Sequence, residues 1–138
     1  MNITQEADYG IRAILILTLS GENSKLDAKT ISKRGSIPLR FLLKLLRKLV
    51  SAGIVISYRG INGGYSLAKP PKNINLKDVI EAIDGPIAIN RCIYDPEFCN
   101  ANRASYCSVH NSLAKVQKLL EEQLENINFE NLRKQEIE

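Results

Sequence analysis

All three cysteines and the only histidine of this 138-residue chain fall in one stretch, Cys92-x6-Cys99-x7-Cys107-x2-His110. Thiolate and imidazole are soft or borderline ligands that suit iron–sulfur clusters and zinc. Four chemistries compete for them. Three buried structural thiols are the plainest, but the surrounding segment is polar and broken by proline, a poor place to bury anything. Zinc sites usually bring a closer pair, Cys-x2–4-Cys, than these gaps allow. A redox dithiol normally uses a short motif. An iron–sulfur cluster accepts wide loop spacings and a fourth ligand of another kind. His110 follows Cys107 by three residues at the start of a helix, so both can face one ligand site; its plain alternative is a surface or capping role. Asp8 is the other candidate fourth ligand, from the same or a partner subunit, and its plain alternative is compensation of a helix dipole.

The elements that must position this cluster carry a different chemistry. No acidic residue occurs between Asp27 and Asp78, an interval that holds eleven lysines and arginines. From residue 86 onward the balance reverses, six basic against eight acidic side chains, so the net charge of +4 understates the asymmetry. A one-signed field over half of a small protein suits a polyanionic partner, the alternative being a solvated basic face. An apolar fraction of 44% with 25% charged residues is ordinary globular composition and argues against wholesale disorder. The apolar stretch 11–19 is too short to span a bilayer and follows Glu6 and Asp8 rather than a basic leader. A cytoplasmic location with reduced thiols is therefore expected, and an odd cysteine count speaks against a disulfide framework.

Apolar spacing predicts a helix over residues 4–19, stopped by Gly21. Asp27 is placed to cap a short second helix. Gly35-Ser36-Ile37 makes a tight turn, Pro38 suits a first helical position, and a third helix runs over 39–52 to Gly53. Leu42, Leu45, Leu46 and Leu49 share its inner face, with Arg40, Lys44, Arg47 and Ser51 opposite. This is a helix-turn-helix. Residues 54–58 and 65–68 read as strands around the glycine-rich loop 59–64, a hairpin in the position of a wing. A helix over 76–84 ends at Gly85-Pro86. The cysteine segment 90–106 reads as a loop. A last helix over 108–127 carries Val109, Leu113, Val116, Leu120, Leu124 and Ile127 at three- and four-residue steps, a narrow seam for helix pairing or for packing on its own domain. Residues 129–138 read as a polar, frayed tail.

In such a fold the third helix lies in the major groove of double-stranded DNA. Arg40 is the best base reader, because a guanidinium can bridge O6 and N7 of guanine. Lys29, Lys44 and Arg47 suit phosphates. Leu43 is either a thymine-methyl contact or simply an exposed leucine. Arg59 beside Gly60 at the hairpin tip suits a minor groove, and Ser36 and Leu39 complete the candidate DNA-contacting set. The loop glycines match no nucleotide-binding fingerprint, and Tyr65 reads as hairpin packing.

These residues carry a resemblance. Ile3-Thr4 with Asp8-Tyr9 and Arg12-Ala13, the run Ile37-Pro38-Leu39-Arg40-Phe41-Leu42, and above all Gly53-Ile54-Val55 leading into Arg59-Gly60-Ile61-Asn62-Gly63-Gly64-Tyr65 are similar to the IscR/NsrR-type family of winged-helix, iron–sulfur cluster transcriptional regulators. Leu76-Lys77-Asp78-Val79, Ala82-Ile83-Asp84-Gly85 and the three cysteines follow in register, so the resemblance spans residues 1–127. It implies a homodimer paired through the last helix, a cluster at Cys92, Cys99 and Cys107 in each subunit, and a palindromic operator. It also implies that Arg59 enters the minor groove and residues 39–44 read the major groove. The gaps of six and seven residues depart from the family's best-known members, which have shorter ones, so a two-iron and a four-iron cluster both stay open.

The expected fold is mainly α with a small β-hairpin: a winged helix-turn-helix over residues 1–86, a cysteine-bearing loop over 87–107, a dimerisation helix over 108–128 and the tail. The expected function is transcriptional regulation, as a repressor, controlled by a cluster that senses iron, cluster supply, oxidative stress or nitric oxide. A second reading keeps the fold with zinc, thiol redox or a metabolite-linked switch. A third is an electron-carrying or metal-storing protein with an incidental basic face. One histidine and no nucleophile motif leave little from which to build an enzyme.

Overall fold

Thr4 opens the first helix by accepting the Ala7 N–H on its side-chain oxygen at 3.1 Å, and α1 runs over Gln5–Leu19. The computed structural model describes residues 2–95, 97 and 106–137; within them seven helices and a two-stranded sheet form. Ala7, Ala13, Ile14, Leu17 and Thr18 bury one face of α1. Asp27 caps α2 (Ala28–Gly35) by accepting from Thr30 N at 2.8 Å, and hydrogen bonding from Thr30 holds its carboxyl below the usual range. Ser36 then takes a left-handed conformation, φ 52° and ψ 46°, which turns the chain into α3 (Leu39–Ser51).

The four leucines expected inside α3 are all buried. Its end follows the rule for a left-handed glycine stop: Gly53 has φ +77°, its N–H reaches Val50 O, and the Ile54 N–H reaches Leu49 O, each at 3.0 Å. Leu39 is the first helical residue, as the expected range 39–52 has it; Pro38 stands immediately before it, and no side chain caps α3.

β1 (Val55–Tyr58) and β2 (Gly64–Leu67) pair antiparallel, with Val55 opposite Leu67 and Tyr58 opposite Gly64. Leu26 extends the sheet by exchanging two backbone hydrogen bonds with Tyr65 (3.0 and 2.8 Å), and the Tyr65 side chain is partly buried against the core. At the hairpin turn the Gly63 N–H closes on Gly60 O at 2.9 Å. A Cβ on Gly63 would stand 2.5 Å from Tyr58 O, so only glycine fits there.

After a short 3-10 turn, Pro71–Asn73, α4 (Leu76–Asp84) is capped by Asn75 and lays Val79, Ile80 and Ile83 against α1. The cysteine segment is not wholly a loop. Asn90 caps a helical turn, α5 (Arg91–Tyr94), through Arg91 N. α6 (Ser108–Glu125) packs on α4, where Lys77 pairs with both Glu81 and Glu125 at 3.2 Å; these two carboxylates, Glu125 first, raise the Lys77 pKa.

The tail expectation is overturned. Residues after Asn128 form α7 (Phe129–Ile137), which folds back on α1. Phe129 is wholly buried in the main core, and its N–H bonds Ile74 O at 3.0 Å. A single aromatic among polar neighbours gives no periodic signal, yet here it fills the space between α1 and the 3-10 turn. The winged unit thus draws part of its core from beyond residue 86. No described helix is long and apolar enough to cross a membrane.

Candidate functional site

The candidate DNA-facing residues are presented together by α2, the turn, α3 and the wing. Lys29, Ser36, Leu39, Arg40, Lys44, Arg47, Arg59 and Gly60 are exposed, and Leu43 is half-buried. Arg40 stacks its guanidinium over the Phe41 ring at 4.9 Å, which steadies a long side chain without consuming its charge. Lys29, Arg40, Arg47 and Arg59 make no ion pair among the described residues. The uncapped start of α3 adds backbone donors and a positive helix end to the same face.

Three anchors missed by sequence reasoning hold this surface. Arg12 of α1 donates to Gly35 O at 2.6 Å and to Asp8 Oδ2 at 2.8 Å, so Asp8 braces the turn through Arg12. Lys25 lies 4.7 Å over the Tyr58 ring and donates to Asn62 O at 3.1 Å, pinning the wing loop. Glu6 accepts from Lys44 at 3.3 Å and from Lys48 at 3.2 Å, and those bonds, Lys48 first, lower its pKa. All three join residues 23 or more apart in sequence, beyond the reach of any local pattern. At the wing tip Ile61 is fully exposed beside Arg59.

The thiol site is built by α5 and α6. Cys92, in α5, places Sγ 3.2 Å from His110 Nδ1 in the first turn of α6. Cys107, half-buried, immediately precedes α6. Cys99 lies outside the described residues. Gln117 is the one buried residue of α6; its amide donates to Ile87 O and accepts from Ile89 N at 2.8 Å, which fixes the strand of chain leading into α5. Among the described residues no three candidate ligands converge.

These donors can be tested against a metal by distance. A sulfur and an imidazole nitrogen on one tetrahedral metal stand about 3.6 Å apart. The Cys92–His110 pair would need to open by only a few tenths of an ångström, so these two side chains fit adjacent positions on one metal. Asp8, by contrast, is engaged by Arg12 of its own helix.

The face of α6 away from α4 leaves Val109, Val116 and Leu119 at 61%, 51% and 60% exposure, with Leu113 and Leu120 half-buried alongside. Leu119 is exposed beside the expected seam, while Gln117 faces residues 87 and 89.

Comparison with known proteins finds a family profile described as Rrf2, iron-dependent transcriptional regulator, matching residues 3–135. A protein named as an rrf2-like HTH-type transcriptional regulator of Rhodobacter capsulatus is 36% identical over 122 residues, 83% of this chain and 80% of that protein. Another HTH-type regulator, slr0846 of Synechocystis, is 39% identical over 84 residues, 61% of this chain and 57% of that one. Among solved structures, CymR, the global cysteine regulator of B. subtilis, superposes with a TM-score of 0.76 at 25% identity and 97% coverage of both chains. IscR of T. potens gives 0.77 at 25% identity, covering 98% of this chain and 88% of that one.

Proposed function

Since the chain belongs to the Rrf2 family of iron-dependent transcriptional regulators, we propose that it is a homodimeric repressor whose hold on a palindromic operator is set by an iron–sulfur cluster. The observation that carries the cluster is the Cys92–His110 pair, a thiol sulfur and an imidazole nitrogen brought within 3.2 Å of each other by α5 and α6. Cys92, Cys99 and Cys107 would hold it, with His110 as fourth ligand in preference to Asp8. Such a group supplies thiolate-bound iron whose integrity and redox state respond to oxidant.

The chain's own residues supply the route to DNA. Gln117 ties residues 87 and 89 to α6, and the same segment continues back to the end of α4. There the Ile83 carbonyl accepts from Lys48 of α3 at 3.1 Å. A change in the set of α5 against α6 therefore bears on the recognition helix, and a ligand that favours one arrangement shifts DNA affinity. Arg40 reads a base edge and Arg59 enters the minor groove; Lys29, Lys44 and Arg47 hold phosphates around them, with Ser36, Leu39, Leu43 and Gly60 lining the contact.

Arg40→Ala should weaken operator binding by about 1–3 kcal/mol and relax selectivity at one base pair per half-site. Arg47→Ala should instead weaken binding to all sequences and flatten the salt dependence. Equal, sequence-independent losses from both would reduce Arg40 to a phosphate contact.

The exposed row on α6 would pair two subunits isologously and set half-sites about one helical turn apart. Val116→Asp tests this cleanly, because the side chain is half in water in one chain and its replacement spares the core. Sedimentation should show a folded monomer, with operator affinity down roughly 10²–10⁴-fold through loss of the second half-site. A dimeric Val116→Asp protein would place the interface elsewhere.

Anaerobic purification decides between cofactors: visible absorption with iron and sulfide in the protein, and a change of operator affinity when they are removed, is the expected result. A second reading is a thiol switch on the same fold, favoured by the likeness to CymR. It takes over if protein made with ample iron holds none and its affinity follows thiol oxidation.

A further inference from the structure

Arg40, Lys44 and Arg47 form the outward cationic row of α3, and among the described residues only Lys44 is already ion-paired. Its partner Glu6 sits in the first turn of α1, on a separate helix. The carboxylate is not a loose counter-charge. One oxygen meets Lys44 Nζ at 3.3 Å and the other meets Lys48 Nζ at 3.2 Å, while Lys48 is itself tethered to Ile83 O at 3.1 Å. Lys48 and Glu6 are about equally shielded, at 35% and 34% exposure, whereas Lys44 stands out at 61%. The held pair is thus Glu6 with Lys48, and Lys44 is the member free to leave.

We propose that Glu6 is a governor of DNA affinity: anchored by Lys48, it occupies the Lys44 ammonium, which must exchange the carboxylate for a phosphate whenever α3 docks. The inference rests on the reading of α3 as the DNA-contacting helix. Its physics is that of a competing anion. A lysine that swaps Glu6 for a phosphate displaces a cation from DNA but leaves the carboxylate with Lys48 alone, so salt makes up part of the charge that Lys44 had supplied and the net release of ions is smaller than for a free lysine. The penalty is the same for every DNA sequence, because neither partner touches a base. In a protein whose residues 28–77 hold eleven basic and no acidic side chains, such a brake limits occupancy of random DNA while leaving base reading to Arg40.

The test uses the full-length chain and a mixed-sequence duplex of about 30 base pairs, titrated by fluorescence anisotropy between 50 and 200 mM salt. Glu6→Gln should bind several-fold tighter than wild type at the low end. Its salt slope should be steeper by up to about 0.9, so that its advantage shrinks by at most roughly threefold to fourfold across that range. In a Lys44→Ala background the same substitution should change affinity less than twofold. Glu6→Asp keeps the charge but is one methylene too short to reach both lysines, so it should move partway toward Glu6→Gln; it also separates contact from net charge if the glutamine variant folds poorly. Unchanged or weaker binding by Glu6→Gln overturns the proposal, as does an equal gain with Lys44 absent. Failure of the wild-type chain to bind the duplex would instead remove the DNA-contacting reading of α3, and the inference with it.

Discussion

Phe129→Ala should lower the unfolding free energy by about 3–5 kcal/mol, the range for emptying a buried aromatic site. The side chain is 0% exposed and belongs to the same core as Ile14, Leu17, Leu46 and Leu49. Small domains hold only about 5–15 kcal/mol in reserve, so one truncation at the far end of the chain would bring the fold near its limit. Urea titration should show a lower midpoint with an unchanged slope. DNA binding should fall with stability, because α7 packs on α1 and α1 supplies Glu6 and Arg12, which brace α3 and its turn. A loss below about 1 kcal/mol would mean that α7 is peripheral after all.

The cysteine segment carries the second large effect. Each of Cys92→Ala, Cys99→Ala and Cys107→Ala should yield protein that is colourless after anaerobic purification, or that bleaches within minutes in air, since a missing thiolate leaves iron open to solvent and oxidant. Far-ultraviolet circular dichroism and melting should stay close to wild type, because neither Cys92 nor Cys107 belongs to the buried core. Affinity for at least one operator should nevertheless change. His110→Ala should retain iron with a shifted absorption envelope, and Asp8→Ala should leave the spectrum alone while loosening the turn that Arg12 braces. The reverse pattern would make Asp8 the fourth ligand. Zinc, or no metal, in wild-type protein grown with ample iron would end the cluster-sensing account.

Much of the DNA-facing half was legible because its signals are local. Helical spacing in α3 reports one buried stripe, and the four leucines that form it are the four found buried. The wing was readable because a turn this tight restricts residue choice, as Gly63 shows.

The C-terminal half resisted for a different reason. Its apolar residues are sparse, and each owes its state to a partner distant in sequence. Phe129 looked like part of a frayed tail because the space it fills is made by α1 and Ile74. Gln117 gave no sequence signal; it is buried because its amide meets the Ile87 carbonyl and the Ile89 N–H, two groups 30 and 28 residues away.

By itself the sequence determined the winged helix-turn-helix, its basic face and the set of five potential ligands, because periodicity, charge sign and residue type survive without coordinates. Tertiary structure alone decided which of these meet. It set Cys92 against His110 across 18 residues, turned Asp8 toward Arg12, and bound Lys44 to Glu6 across 38. Such pairings depend on how helices cross, and the crossing is set by the summed packing of the whole core rather than by any segment of it.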